Sequence, residues 1–408
     1  MIVETMFHRR FFQMVGPLEG IKVLELSRTL AGPFASMQLA DMGAEVLKVE
    51  QPGLGDETRS YIPPELNGES TYFMSLNKNK KAITLNLKTE EGQAIVKKLV
   101  AESDVLIENF RNGTMEKFGL GYDVLKEINP RLVYCAVSGF GRTGPMKDEP
   151  AYDLLMQGFG GLMSVTGEHG QAPVKVGFSI IDLATGLYAS LGVMLALFAR
   201  EKSGKGQYVE SSLLDTVVSL SNYLGQGVLA TGKAPGRYGS AHPTLVPYQA
   251  FETKDGYVII AVPNDGLWRK MCDALELTEL KDHPKYAVNV NRVANREELV
   301  GILTDYTKQR ESSEIIDRLK QAGVPSGPIN NIAELLEHPQ VQAREMIQEV
   351  EHPTIGALKM LGIPLKLSDT PGSVRKAPPL LGENTEEVLT LLGYSGEEIA
   401  NFKDKGVI

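Results

Sequence analysis

The chain has 408 residues, and its 42 lysines and arginines against 51 aspartates and glutamates give a formal charge of −9. Hydrophobic residues make up 42% and charged residues 23%, a globular balance that excludes disorder, collagen-like repetition and a disulfide-stapled miniature. A chain of this length is expected to form two domains, and its acidity excludes a bulk attraction to nucleic acid, so an anionic ligand needs cations gathered locally.

The N-terminus, Met1 to Gly16, carries Arg9 and Arg10 but no apolar core, so it does not read as a secretory signal. Met14 offers an alternative start. Ile21–Leu26 is a β-type run. Ala31-Gly32-Pro33 opens a helix over Phe34–Met42, with proline where a first turn accepts it, and Gly43 closes it. Glu45–Glu50 is the next strand, which makes a βαβ unit and predicts a parallel sheet covered by helices. The alternation continues with a strand over Ala82–Leu87, a helix over Thr89–Ala101, a strand over Asp104–Glu108, a helix over Tyr122–Ile128 and a strand over Arg131–Val137. Cys135 lies in that last apolar run and reads as a buried thiol. With only one other cysteine, Cys272, there is neither a disulfide framework nor a metal knuckle, and a reducing cytoplasm is the expected compartment.

The most apolar stretch, Leu183–Phe198, falls short of the roughly 20 residues a membrane helix needs. It reads as the centre of a buried helix over Ala184–Arg200, and no membrane association is expected. A strand over Gln207–Ser211 and a helix over Leu213–Val228 follow. Ala230–Pro247 is rich in glycine and proline and reads as a linker. Tyr248–Thr253 and Tyr257–Val262 flank an Asp-Gly pair and predict a hairpin. The expected plan is a large Rossmann-like domain over 1–225, a smaller α+β domain over 226–325, and a return to the large domain over 326–408.

Gly139-Phe140-Gly141-Arg142-Thr143-Gly144 spells GxGxxG after a strand. Pro145 and Pro150 follow, so no helix starts there and the pattern shapes some other ligand site than a dinucleotide's. The histidines (His8, His169, His242, His283, His338 and His352) are scattered and give no metal-ligand pair. No GxSxG elbow or P-loop occurs. Cations do cluster near strand ends, in Asn77-Lys78-Asn79-Lys80-Lys81, in Asn109-Phe110-Arg111 and at Lys117 and Arg59. Ligands of open α/β sheets bind beyond the carboxyl ends of the strands, so this grouping suits a phosphorylated ligand. Asp182 is the only charge between Lys175 and Arg200. It reads as a helix N-cap or as a desolvated carboxylate nucleophile, and the two roles are compatible. Asp153, after Tyr152, is a second candidate, with capping of a helix over Leu154–Phe159 as its plainer role.

The set Gly20–Leu26, Gly43–Glu50, Gly55-Asp56-Glu57-Thr58-Arg59, Asn77–Lys81, Glu108–Arg111, Ser138–Gly141, Ile181–Gly186 and Ser203–Gln207 resembles the family III CoA-transferases over nearly the whole chain. The second half, with Val246–Phe251 and Gly323–Asn331, is most similar to their succinate–hydroxymethylglutarate branch. The resemblance implies that Asp182 is the nucleophile and that Tyr152 and Asp153 stand beside it. It implies CoA contacts at Leu30, Ala31, Asn77, Lys78, Lys80, Asn109, Phe110, Arg111 and Lys117. Gln51 replaces an arginine used by formyl-CoA transferase, and Gly239–Pro243 replaces that enzyme's glycine-rich loop. The resemblance further implies acyl-CoA and a small carboxylic acid as substrates, no permanently bound cofactor or metal, and an interlocked homodimer. The family also holds α-methylacyl-CoA racemases, which use a histidine where Tyr152 stands here. Tyrosine is a poor base near neutrality, so transfer is the expected chemistry. A non-catalytic acyl-CoA-binding protein is the reading from another class, and the presence of Asp182 argues against it.

Overall fold

A computed structural model describes residues 16–408. The expectations for an N-terminal leader and for Met14 as a start concern residues outside that range. The chain forms two compact units. The first holds the residues up to Gly160, Gly177–Gly225 and Gln340–Ile408, and the second holds Gly161–Val176 and Gln226–Pro339.

The first unit is built on six strands, β1 (Lys22–Glu25), β2 (Glu45–Glu50), β3 (Lys80–Thr84), β4 (Val105–Glu108), β5 (Val133–Ser138) and β6 (Tyr208–Ser212). All pair in parallel, in the order β3-β2-β1-β4-β5-β6. This is a doubly wound sheet whose order reverses between β1 and β4. Side chains alternate between the faces, as the two-residue strand period requires. Val23, Val105, Ile107, Val133 and Cys135 point to one core, and Leu24, Leu106 and Tyr134 to the other. The first core is covered by α1 (Ala31–Asp41), and the second by α2 (Glu90–Ala101) and α3 (Tyr122–Ile128). Thr89 caps α2 through a bond from the Gly92 amide, and Glu90 and Glu91 favour its positive end. The glycines of the 139–144 loop include two at positive φ, and the next helix, α4 (Asp153–Phe159), starts well after them. The GxGxxG loop thus opens no phosphate-binding helix.

The long helix α5 (Ile180–Ser203) packs on α1 at Gly186, where an added Cβ would stand 2.7 Å from the Ala31 carbonyl oxygen. Two expectations for this segment are corrected. At 24 residues α5 is long enough to span a bilayer. It is also buried on one face only, because Leu187, Leu191, Leu195 and Phe198 form an exposed stripe at helical spacing. Helix α6 (Leu213–Thr231) follows and is kinked at Asn222, whose φ is 38°.

In the second unit the hairpin β7 (Tyr248–Thr253) and β8 (Gly256–Ala261) forms where the Asp-Gly pair places it. Helices α7 (Asp265–Ala274), α8 (Arg296–Thr307) and α9 (Ser312–Gln321) pack around Trp268 and Cys272. A third strand, β9 (Ser326–Pro328), pairs with β8. That pairing lies beyond 325, and the second unit runs to Pro339. Segment 161–176 also joins this unit rather than the first. On its return to the first unit the chain forms the hairpin β10 (Ile347–His352) and β11 (Gly356–Leu361), which the sequence pattern does not announce, and then α10 (Thr385–Leu391) and α11 (Gly396–Asp404). Leu389 and Phe402 of these helices close the second core of the sheet.

Candidate active site

At the carboxyl end of the sheet, where the strand order reverses, lies a cavity of about 170 Å³. Its walls come from the β1–α1 turn (Arg28, Thr29, Leu30, Ala31), from Asn109, Phe110 and Arg111 after β4, and from Ser138, Gly139 and Arg142 after β5. Tyr152 and Asp182 complete it. A second cavity of about 390 Å³ shares Arg28 and Phe110 with the first and extends over Gln51, Asn86, Lys88 and Phe118.

Asp182 lies in the first turn of α5, inside the expected N-cap position, which Ser179 takes. The cap is supplied from elsewhere. The Asp153 carboxylate accepts from the amides of Ile181 (2.9 Å) and Asp182 (3.3 Å). Gln157 holds its other oxygen at 2.6 Å. Asp153 is buried, so the structure places it as the cap of α5 rather than as a wall of the cavity. Burial, reinforced by the negative charge of Asp153, pushes the Asp182 carboxyl up to about 7. Among the described residues no cation or donor offsets that push. The result is an oriented carboxylate that is half ionised near neutrality and poorly solvated, the condition of an activated nucleophile.

The charge around it is mixed. Arg28, Arg111, Arg142 and Lys147 line the cavity together with Glu57, Asp148 and Glu149. Arg28 pairs with Glu57 at 3.2 Å. Arg142 pairs with Glu108 at 2.6 Å, and burial lifts the Glu108 carboxyl to about 6. The start of α1 adds backbone donors. Leu30 caps it without a side-chain bond, no acid stands in its first turn, and Pro33 has no amide. The amides of Ala31 and Gly32 are therefore left at the positive end of a helix beside Asp182.

Of the expected ligand contacts, Leu30, Ala31, Asn109, Phe110, Arg111, Tyr152 and Asp182 come together in this cavity. Asn77, Lys78 and Lys80 do not. They precede or open β3, so they lie toward the amino edge of the sheet, and each is buried. Lys78 pairs with Asp41 at 3.2 Å. Lys80 pairs with Glu25 at 2.8 Å and bonds Asn77 Oδ1 at 2.9 Å. Lys117 closes a four-residue helix and lies outside both cavities. Sequence reasoning alone misses Arg142, Lys147 and Lys88. All three follow the carboxyl ends of strands, and that signal could have found them. It also misses Tyr72, in the helix Thr71–Asn77. Burial and the nearby Asp182 charge push the Tyr72 hydroxyl up to about 12, which keeps it a neutral donor beside the cavity.

A doubly wound parallel sheet with a desolvated carboxylate and arginines gathered at its switch point is the arrangement of an α/β protein with its candidate site at the carboxyl end of the strands. Comparison with known proteins gives the family. The pattern of CoA-transferase family III matches residues 18–385. The chain is 41% identical over 395 residues to the human succinyl-CoA:glutarate CoA-transferase, covering 97% of this chain and 90% of that one. It is 40% identical over 382 residues to the succinate–glutarate CoA-transferase of Agrobacterium fabrum, covering 92% and 96%. A solved CAIB/BAIF family protein from Brucella suis superposes with a TM-score of 0.82 at 41% identity, covering 92% of this chain and 99% of that one. The chain belongs to CoA-transferase family III.

Proposed function

We propose that this protein moves CoA from an acyl-CoA to a free dicarboxylate, with Asp182 as the covalent carrier. The observation that carries the proposal is the desolvated Asp182 carboxylate in a cavity with arginines and an uncapped helix start. The acceptor class rests on the relatives, which are named for succinate and glutarate. Asp182 attacks the thioester carbonyl, forming a mixed anhydride and releasing the CoA thiolate. The thiolate then attacks the aspartyl carbonyl of the anhydride, leaving an aspartyl-CoA thioester and the donor's free carboxylate. An acceptor carboxylate attacks that thioester, and the returning thiolate takes the acceptor's acyl group and restores Asp182. A carboxylate suits the task because its anhydride stays as activated as the thioester it replaces. The uncapped amides at the start of α1 are the proposed donors to the oxyanions, and one such donor is typically worth about 3–4 kcal/mol. The larger adjoining cavity has room for the nucleotide end of CoA, with Lys88 and Arg28 among its cations and Lys48, paired with Glu25 and Asp56, in its wall.

The exposed stripe of α5 supports a homodimer, because an apolar face of that extent is a mark of an interface.

The test is exchange of CoA between succinyl-CoA and a panel of mono- and dicarboxylates, followed by identification of the new CoA esters. Hydroxylamine trapping read by mass spectrometry is expected to mark Asp182. Full exchange by Asp182→Ala would overturn the proposal.

A further inference from the structure

Next to the first cavity, and forming part of the wall of the second through Lys48, Glu50 and Asp56, stand three carboxylates and three cations, the buried Glu25, Glu50 and Asp56 against the buried Lys48 and Lys80 and the half-buried Arg59. Lys48 bonds Glu25 at 2.9 Å and Asp56 at 2.9 Å, Lys80 bonds Glu25 at 2.8 Å, and Arg59 bonds Glu50 at 2.7 Å. Buried ion pairs are weak devices for stability, since desolvation cancels most of their attraction. What this cluster does hold is the β1–α1 turn. Lys48 reaches the Ser27 carbonyl at 2.9 Å, and Lys80 reaches that of Pro33 at 2.9 Å. Between them Thr29 sits at φ 69°, a left-handed conformation that a β-branched residue rarely adopts. Its amide donates to Asp56 Oδ1 at 3.2 Å. The same oxygen accepts from the Thr58 amide at 3.0 Å and its hydroxyl at 2.8 Å. Burial works against the Asp56 charge, but Lys48 and the Thr58 bonds outweigh it and hold the carboxyl below its ordinary range. The acceptor for Thr29 therefore stays ionised.

We propose that Asp56 is a positioning residue for CoA transfer, gripping Thr29 in its left-handed turn so that the start of α1 faces Asp182. Asp56 touches no reacting atom. It borders the larger cavity and acts on the reaction through Thr29, Leu30 and Ala31, which line the first. The inference rests on the transfer reaction proposed above.

The experiment compares wild type, Asp56→Ala, the double variant Asp56→Ala/Thr29→Gly, and Arg200→Gln. Arg200, itself buried, pairs with the partly exposed Asp104 at 2.9 Å, far from the turn in sequence, and serves as the stability control. Each is measured for kcat and KM in CoA exchange, for the Kd of CoA itself, and for Tm. Displacing a reacting group by about 1 Å can cost of the order of a hundredfold. Asp56→Ala is therefore expected to lose tenfold to a hundredfold in kcat/KM. The double variant is expected to recover most of that, because glycine enters the left-handed region without strain. Arg200→Gln is expected to lower Tm while keeping wild-type kcat, KM and Kd. If Asp56→Ala does not fold, Thr29→Pro, which forbids a positive φ and leaves the charges intact, is expected to show the same loss. Wild-type kinetic and binding constants in Asp56→Ala or Thr29→Pro overturn the inference, as does failure of Thr29→Gly to recover activity. If wild type itself exchanges no CoA, the transfer reading fails and this inference with it, whereas exchange by wild type with unchanged constants in Asp56→Ala overturns this inference alone.

Discussion

At the scale of single residues, the two aspartates near the start of α5 divide one task. Asp153 commits its carboxylate to helix amides, and Asp182, which neighbours it, is left with burial and a like charge. This arrangement lowers stability. A carboxyl raised from 3.8 to about 7 binds more protons folded than unfolded, so stability falls as pH rises from about 4 to about 7, and the loss then levels off. A tenfold change in proton affinity corresponds to about 1.4 kcal/mol. Asp182→Asn is thus expected to raise Tm at pH 8 by an amount worth a few kcal/mol at most, and to raise it little at pH 4, while abolishing exchange. Thermal denaturation at the two pH values checks this. In the proposed reaction the ionised form of Asp182 attacks, so wild-type kcat/KM is expected to climb with pH through about 7.

At the scale of elements, Gly186 lies one turn along α5 from Asp182 and lets α5 and α1 touch. Gly186→Ala sets two effects against each other. Helix propensity favours alanine by about 1 kcal/mol. The added Cβ, however, would stand 2.7 Å from a backbone oxygen of α1, which cannot swing aside as a side chain would. Overpacking of this kind costs about 1–3 kcal/mol. The expected outcome is a lower Tm together with a lower kcat, since α1 and Asp182 are pushed apart, and denaturation alongside exchange kinetics would show it. The elements themselves were largely legible from sequence, because their periodicity and caps are local. What was not legible came from distant partners. Asp153 caps α5 rather than the helix it opens, and no spacing within the chain announces that. Lys80 looks like a ligand cation until its buried side chain is seen to pair with Glu25 of β1, two strands away and off its own register level. The β10–β11 hairpin offered no strong turn pair to mark it.

At the scale of the whole molecule, the net charge of −9 hides an internal cancellation, two buried lysines and a half-buried arginine matched by three buried acids beside the cavities. The surface carries another imbalance, the apolar stripe of α5. If a second copy covers it, Leu191→Asp is expected to shift the protein from dimer toward monomer in light scattering. An unchanged dimer would mean that the stripe lies outside the interface.

The two cysteines take on a meaning beyond packing. Cys135 and Cys272 are buried, and burial pushes each thiol up to about 12, so neither offers a thiolate at neutral pH. The proposed reaction releases a free thiol in every cycle, beside an activated acyl group. A reactive protein sulfur would capture that acyl group by thioester exchange, and that side reaction would silence the enzyme. With its sulfur chemistry shut inside two cores, the only thiol that can trade acyl groups is the one the substrate brings. Native protein should accordingly resist iodoacetamide, with alkylation at both positions appearing only after denaturation.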